Sequence, residues 1–404
     1  MREMAKLKRS ITLPFLTLYG LGTIIGAGIF VLMGKVAGIA GIYAPISFLI
    51  ASIIAAFSAF SYAELSSRFP KSAGEAIYLE ETFHRHWLST GTGIAVTAIG
   101  IISAATISNG AVGYIQIFID LPSWQIIILL VATLALLAAW GISESVSVAV
   151  FSTVISIAGL VLVIVFNSDN LATLPERLPE LIPARLEIWG AIVFGAFIAF
   201  YAFIGFEDMI NVAEEVKEPQ RNMPMAIILA LIISTLLYVL ISLTAILTID
   251  PEKLATSSAP LAALIGEEQG WIKTIVGIIS IFAITDGILI QIIKTSRMLY
   301  GMSKQNLIPP VFAMVHPYTR TPLIATAAVV ITVLILALSF PLLTLAQFTS
   351  FITLVVFAAI NFTLWRLKMQ KNRVQPAGIN LPVWVPMTGF FLCMLFILAQ
   401  LLHL

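Results

Sequence analysis

Apolar runs about as long as a bilayer is thick dominate this sequence. A helix rises about 1.5 Å per residue, so roughly 20 apolar residues cross the hydrocarbon core. Eleven such runs can be marked, at 12–39, 43–67, 87–117, 123–142, 146–166, 187–213, 224–248, 271–298, 321–339, 342–366 and 382–402. Between them stand helix-ending residues, among them Pro70, Pro122, NSDN at 167–170, Pro251, Pro260, Pro317, Pro322, Pro341, Pro376 and Pro382. One run alone could be a buried core helix. The set cannot, because only 11% of the residues are charged, against about 25% in a soluble chain. No polar surface is left to cover a core, so lipid is the expected solvent. The expected fold class is an all-α polytopic membrane protein with about 11 transmembrane helices.

The connections set the orientation. With the N-terminus cytoplasmic, 17 of the 22 Lys and Arg residues fall on the inner side, and Lys35, Arg177, Arg185, Lys253 and Lys273 fall outside. That bias follows the positive-inside rule. An eleventh helix then leaves the C-terminus outside. The basic start MREMAKLKRS precedes an apolar run too long for a signal-peptide core, so a retained first helix in a cell membrane is expected. A net charge of +1 with no basic stripe argues against nucleic acid as a partner. The lone Cys393 rules out an internal disulfide and a cysteine-built metal site. HExxH, CxxC and P-loop patterns are absent and the loops are short, so the chain is not expected to be an enzyme. No repeated filter motif suggests a channel. The histidines His84, His86, His316 and His403 lack metal-ligand spacing.

The first run holds TIIGAGIFVLMG, with Gly22, Gly26 and Gly28 at mid-membrane. Each glycine weakens a helix by about 1 kcal/mol relative to alanine. The sixth run, FIAFYAFIGFEDMINVAEEV, carries Gly205 and then Glu207 and Asp208. Runs one and six correspond if helices 1–5 and 6–10 form two inverted repeats, and paired interrupted helices point to a transport site. Unwound IGAG offers N–H groups to a carboxylate and C=O groups to an ammonium or a cation. The alternative for these glycines is close helix packing.

These residues carry a resemblance. IGAGIFVLMG (25–34), SYAELSSRFPKSAGEAIY (61–78), FYAFIGFEDMINVAEEVKEPQRNMP (200–224) and SRMLYGMSKQNLIPPVFAMVHPYTRTP (296–322) occur in order. Together they resemble the amino acid–polyamine–organocation superfamily of amino-acid permeases, in its cationic-amino-acid-transporter-like branch. The resemblance implies a five-plus-five inverted-repeat fold of sodium-symporter type, with helices 1 and 6 broken. A single ten-helix core over 1–366 would contain repeats at 12–166 and 187–366, with a peripheral eleventh helix at 382–402. It implies alternating access and a central amino-acid site. The substrate carboxylate would meet the amides of Gly26, Ala27 and Gly28. Its amino group would meet carbonyls near Thr23, Ile24, Phe200, Tyr201 and Ile204, with Ala202 in the same stretch. Phe203 resembles the aromatic lid. Where most members of the family have twelve spans, eleven are expected from the marked runs, and the chain reads GEAIYLEETFHRHW from Gly74.

A third departure concerns coupling. Proton-coupled relatives carry a lysine midway along helix 5, where this chain has Ser156, in a register set by Glu144 and Ser145. Helix 8 instead holds Asp286 well inside its span, and intramembrane acids are functional candidates. The Phe282 carbonyl, Thr285 and Asp286 lie on one helical face. With carbonyls of Gly22 and Ile25 they make an oxygen set suited to Na+, resembling the cation site of sodium-coupled members, with Ser156 nearby. Na+ is the first reading. A proton carried by Asp286 and a structural hydrogen bond are the others. No cofactor is expected, and no metal beyond Na+. Exchange or facilitation without ion coupling, and a nutrient receptor on a permease scaffold, stay open; no signalling extension of the kind such a receptor usually needs is expected. The oligomeric state is not encoded in these patterns.

Smaller expectations complete the reading. Glu207 is expected to hold free backbone in helix 6. Asn109 and Gln291 are read as interhelical hydrogen bonds, and Lys294 and Arg297 as snorkelling. Glu64 and Arg68 are read as part of an inner gate or as a solvated interfacial pair. The aromatics Phe200, Tyr201, Phe203 and Phe206 suggest a substrate with a small or apolar side chain. The absence of an unpaired acid in helix 3 argues against arginine.

Overall fold

The computed structural model describes residues 9–26, 28–71, 74–140, 146–266, 270–370 and 378–403. Ala27, Glu144 and Ser145 therefore lie outside the described residues. A helix occupies each of the eleven apolar runs. They are α1 (Leu13–Ile25) with α2 (Gly28–Ala40), α3 (Ala44–Arg68), then a short α4 (Gly74–Phe83), α5 (His86–Ile115), α6 (Ser123–Trp140) and α7 (Val146–Phe166). Two short helices, α8 (Ser168–Ala172) and α9 (Leu174–Arg177), lead to α10 (Leu186–Phe200), which gives way to 3-10 turns at Tyr201–Phe203 and Phe206–Glu215. Then come α11 (Pro219–Thr248), the short α12 (Pro251–Thr256) and α13 (Pro260–Ala263), α14 (Gly270–Lys304), α15 (Leu323–Ser339), α16 (Leu342–Met369) and α17 (Trp384–His403). Among the described residues the one bridge of β type joins Ile11 to Val216.

Among the described residues nine helical stretches are long and apolar enough to cross a membrane, and α1 and α15 are shorter apolar helices beside them. The outward faces say the same. Leu186, Leu402 and Trp140 are 89%, 85% and 80% exposed, a surface that water would not tolerate at this density. The chain is a multi-pass membrane protein.

Proline marks many of the helix starts. It stands in the first turn of α3, α11 and α12 and just before α15 and α16, where its missing N–H is not needed. Inside, large aromatics fill the interhelical space: Phe30, Phe48, Tyr62, Phe200, Phe203, Phe206, Tyr238 and Phe357 are all buried. Several polar groups there are paired across helices. Asn361 of α16 accepts from Ser61 at 2.6 Å and donates to Ser58 at 2.9 Å on α3, which ties α16 to α3. The Tyr114 hydroxyl of α5 donates to Phe30 O at 2.7 Å and accepts from Leu261 N–H at 3.3 Å. This fastens α13 over α2.

The helix α4 was not anticipated. Its ten residues mix Glu75, Glu80 and Glu81 with Ile77, Tyr78 and Leu79, too short and too polar to stand out as a span. The pair Glu64–Arg68 is also not a solvated one. Both side chains are buried at 2.5 Å from each other, and Lys368 of α16 reaches Glu64 at 2.6 Å. Leu381 N–H donates to the same carboxylate at 2.9 Å. Glu64 thus binds α3 to α16 and to the approach of α17.

Candidate functional site

The helix of the first run stops at Ile25 and restarts at Gly28. Gly26 has φ 8° and ψ −121°, and its N–H donates back to Gly22 O at 3.1 Å. In the sixth run, regular helix stops at Phe200, Ile204 is extended, and Gly205 has φ 134°, a conformation that L side chains rarely adopt. The ten-residue 3-10 stretch that follows exceeds the usual few residues for such a helix.

These two interruptions face each other. A Cβ on Gly28 would collide with Ala202, and one on Gly205 would collide with the Thr23 carbonyl. Glycine is needed at both positions for the strands of irregular backbone to touch. The Tyr238 hydroxyl of α11, fully buried, lies 2.8 Å from Ile24 O and 2.9 Å from Ala202 O. It bridges the two interruptions. Phe203 packs edge-on against its ring at 5.0 Å. Glu207 turns back so that its carboxylate accepts from Gly205 N–H at 2.8 Å, holding the backbone just as its place in the sequence suggested.

Between the interruptions is a small cavity of about 30 Å³. That is room for about one or two waters, so a free amino acid enters only when the walls separate. Its lining includes Gly22, Thr23, Ile24, Gly26, Gly28, Tyr201 and Ile204 from the sequence-derived set. Ser103, Ile107, Asp208, Gly287, Ile290 and Gln291 complete it. Ile25, Phe200, Ala202 and Phe203 are buried behind this lining. Ser103 and Tyr201 share a hydrogen bond between hydroxyls at 2.9 Å.

Below the sixth-run interruption sits a buried charge cluster that the sequence did not reveal. Lys294 of α14 pairs with Asp208 at 2.5 Å. Its ammonium is held inside, so the snorkelling expected of Lys294 is corrected. Glu207 and Asp208 are 6% and 5% exposed, and Glu75 of α4 is 6% exposed. The Tyr62 hydroxyl donates to Glu75 at 3.2 Å. Burial pushes the Glu75 carboxyl up to about 7, with the Asp208 charge adding to the rise. Those partners lie 86 residues apart in the case of Lys294 and Asp208, beyond the reach of any local spacing.

The residues expected to hold a cation have the following partners. Asp286 accepts from Ser152 of α7 at 2.5 Å, a serine one turn before Ser156. Ser156 donates to Ser152 O at 3.0 Å within its own helix. Thr285 donates to Ile281 O at 2.8 Å and Phe282 O at 3.0 Å, and the Phe282 side chain is 41% exposed. Gly22 lies against Thr153 of α7. Asn109 donates to Ala337 O at 3.0 Å and Phe340 O at 3.3 Å, bridging helices as expected.

Comparison with known proteins bears on this arrangement. A family model described as amino acid permease matches residues 11–403. The chain belongs to the amino acid permease family. The permease is 29% identical to the vacuolar cationic amino acid transporter 4 of Arabidopsis thaliana, over 93% of its own length and 65% of the relative's. It is 28% identical to the methylthioribose transporter of Bacillus subtilis, over 96% of its own length and 88% of that protein's. It is 29% identical to the branched-chain amino acid permease BcaP of the same organism, over 79% and 72%. The chain thus spans about two thirds of the plant transporter's length. Family and relatives are transporters rather than enzymes.

Proposed function

We propose that the permease carries a zwitterionic amino acid across a cell membrane by alternating access. The observation that carries this reading is the meeting of two interrupted helices at one cavity, bridged by Tyr238. Free main-chain dipoles there can grip a carboxylate and an ammonium without a charged side chain. On this reading α1–α2 and α10 with its 3-10 extension are transmembrane helices 1 and 6 of two inverted five-helix repeats, at 12–166 and 187–366. Helix α17 is an eleventh crossing, with the N-terminus cytoplasmic and the C-terminus outside. The amides of Gly26, Ala27 and Gly28 take the carboxylate, and carbonyls at Thr23, Ile24, Phe200, Tyr201 and Ile204 take the amine. Gly26 N–H, now bonded to Gly22 O, is released as the site opens.

Coupling to a cation belongs to the same proposal. Asp286 and Thr285, with carbonyls of Gly22, Ile25 and Phe282 and with Ser156 nearby, hold Na+. The alternative coupling ion is a proton on Asp286. Uptake of labelled amino acid into liposomes with and without a sodium gradient at fixed pH is expected to rise with sodium; uptake indifferent to sodium removes the Na+ reading. Counterflow of labelled amino acid in the same liposomes tests carriage itself, and its absence for all twenty amino acids ends the amino-acid reading. A second reading is favoured by one relative. The methylthioribose transporter matches 96% of this chain, so methylthioribose belongs in the counterflow panel, and its exclusive transport would replace the amino acid.

A further inference from the structure

Five polar side chains line the cavity: Thr23, Ser103, Tyr201, Asp208 and Gln291. Four are partnered. Thr23 donates to Gly20 O at 2.9 Å, Ser103 and Tyr201 bond each other at 2.9 Å, and Asp208 holds Lys294 at 2.5 Å. The fifth differs, because the Gln291 amide oxygen is buried without a hydrogen-bond partner. One helical turn further along α14, the Thr295 hydroxyl is also buried and unpartnered. Both oxygens sit over Gly100 of α5, where the absence of a Cβ leaves them room. Their i, i+4 spacing puts them on one strip of α14.

A buried polar atom without a partner is unfavourable, and native proteins keep few of them. Gln291 lines the cavity and Thr295 lies one helical turn beyond it, and an unmet oxygen on the cavity wall is explained by a group that arrives with the ligand. An amide presents both a donor and an acceptor, so its match is a hydroxyl or another amide. Ile107, Ile204 and Ile290 also line the cavity and offer a side chain no polar partner.

We propose that the Gln291–Thr295 strip reads the end of the substrate side chain and selects small amino acids that carry a hydroxyl or carboxamide: serine, threonine and asparagine. This rests on the cavity being the amino-acid site. It narrows the small or apolar substrate expected from the aromatic residues to a small polar one. The apolar isosteres lose because they leave both oxygens unsatisfied.

The test uses the full chain reconstituted in liposomes, with tritiated L-serine and L-alanine counterflow and unlabelled threonine, asparagine, valine and leucine as competitors. Serine is expected to exceed alanine by about tenfold, the worth of one good hydrogen bond, and threonine and asparagine to out-compete valine and leucine. Gln291→Met keeps length and volume and is expected to bring the serine-to-alanine ratio close to one. Should that variant fail to fold, Gln291→Asn, which keeps the amide but withdraws it, is expected to lower serine more than alanine, and Thr295→Val likewise. A wild type that favours alanine, valine or leucine overturns the proposal. So does a variant that lowers every substrate alike, which marks a structural residue or a bound water. Robust counterflow with no side-chain preference defeats this inference alone; no counterflow of any amino acid defeats the functional reading beneath it.

Discussion

Replacing Tyr238 with phenylalanine deletes one oxygen and leaves two buried carbonyls, Ile24 O and Ala202 O, without their shared donor. Orphaned buried groups cost about 1–3 kcal/mol, so Tyr238→Phe is expected to lower the unfolding temperature of the purified permease and to weaken substrate-induced stabilisation. Thermal unfolding with and without amino acid measures both. Gly205→Ala is expected to be harsher, because the new Cβ meets the Thr23 carbonyl at a backbone φ of 134°. Loss of counterflow together with reduced folded yield is the expected result. Neither Tyr238 nor Gln291 stood out in the sequence as part of a site. Their importance comes from which distant carbonyls they reach or fail to reach, and nothing in the local pattern of α11 or α14 encodes that.

At the scale of elements, the ends of the helices were legible because length and proline govern them. The runs 123–142, 146–166 and 342–366 correspond to Ser123–Trp140, Val146–Phe166 and Leu342–Met369. The helices α1 and α10 end at Ile25 and Phe200, within the glycine- and aromatic-rich stretches 22–28 and 200–206. The pairing between elements was not legible. Asp286 stands out in the sequence as an intramembrane acid, but its donor Ser152 of α7, 134 residues away, does not. The link between α14 and the 3-10 stretch, Lys294 with Asp208, gives a direct test. Lys294→Met and Asp208→Asn each strand a buried partner, which costs about 3–5 kcal/mol. Each single variant is expected to lower thermal stability, and the double variant to recover part of the loss. A double variant no better than the sum of the singles would show that the two charges do not act as a pair.

Across the described residues, Glu64, Arg68, Glu75, Glu207, Asp208 and Lys368 are buried among the helices while many large apolar side chains face outward, the reverse of a water-soluble protein. Glu75 makes that arrangement sensitive to pH. Its carboxyl titrates near 7 in the folded protein against 4.5 for the free side chain. A raised folded value means the native state binds the proton more tightly than the unfolded state. The stability this contributes is therefore complete below pH 4.5 and is lost as pH rises through about 7. Unfolding temperatures measured across that window are expected to fall for the wild type and to flatten for Glu75→Gln. The Tyr238 bridge has a different consequence at this scale. A phenol owns a single hydrogen, and here two carbonyls from separate half-helices claim it. When the gap between them widens, only one can keep it. On the proposed alternating-access cycle each turnover breaks and remakes this contact, and the hydroxyl is then a latch whose grip sets how easily the two interruptions part.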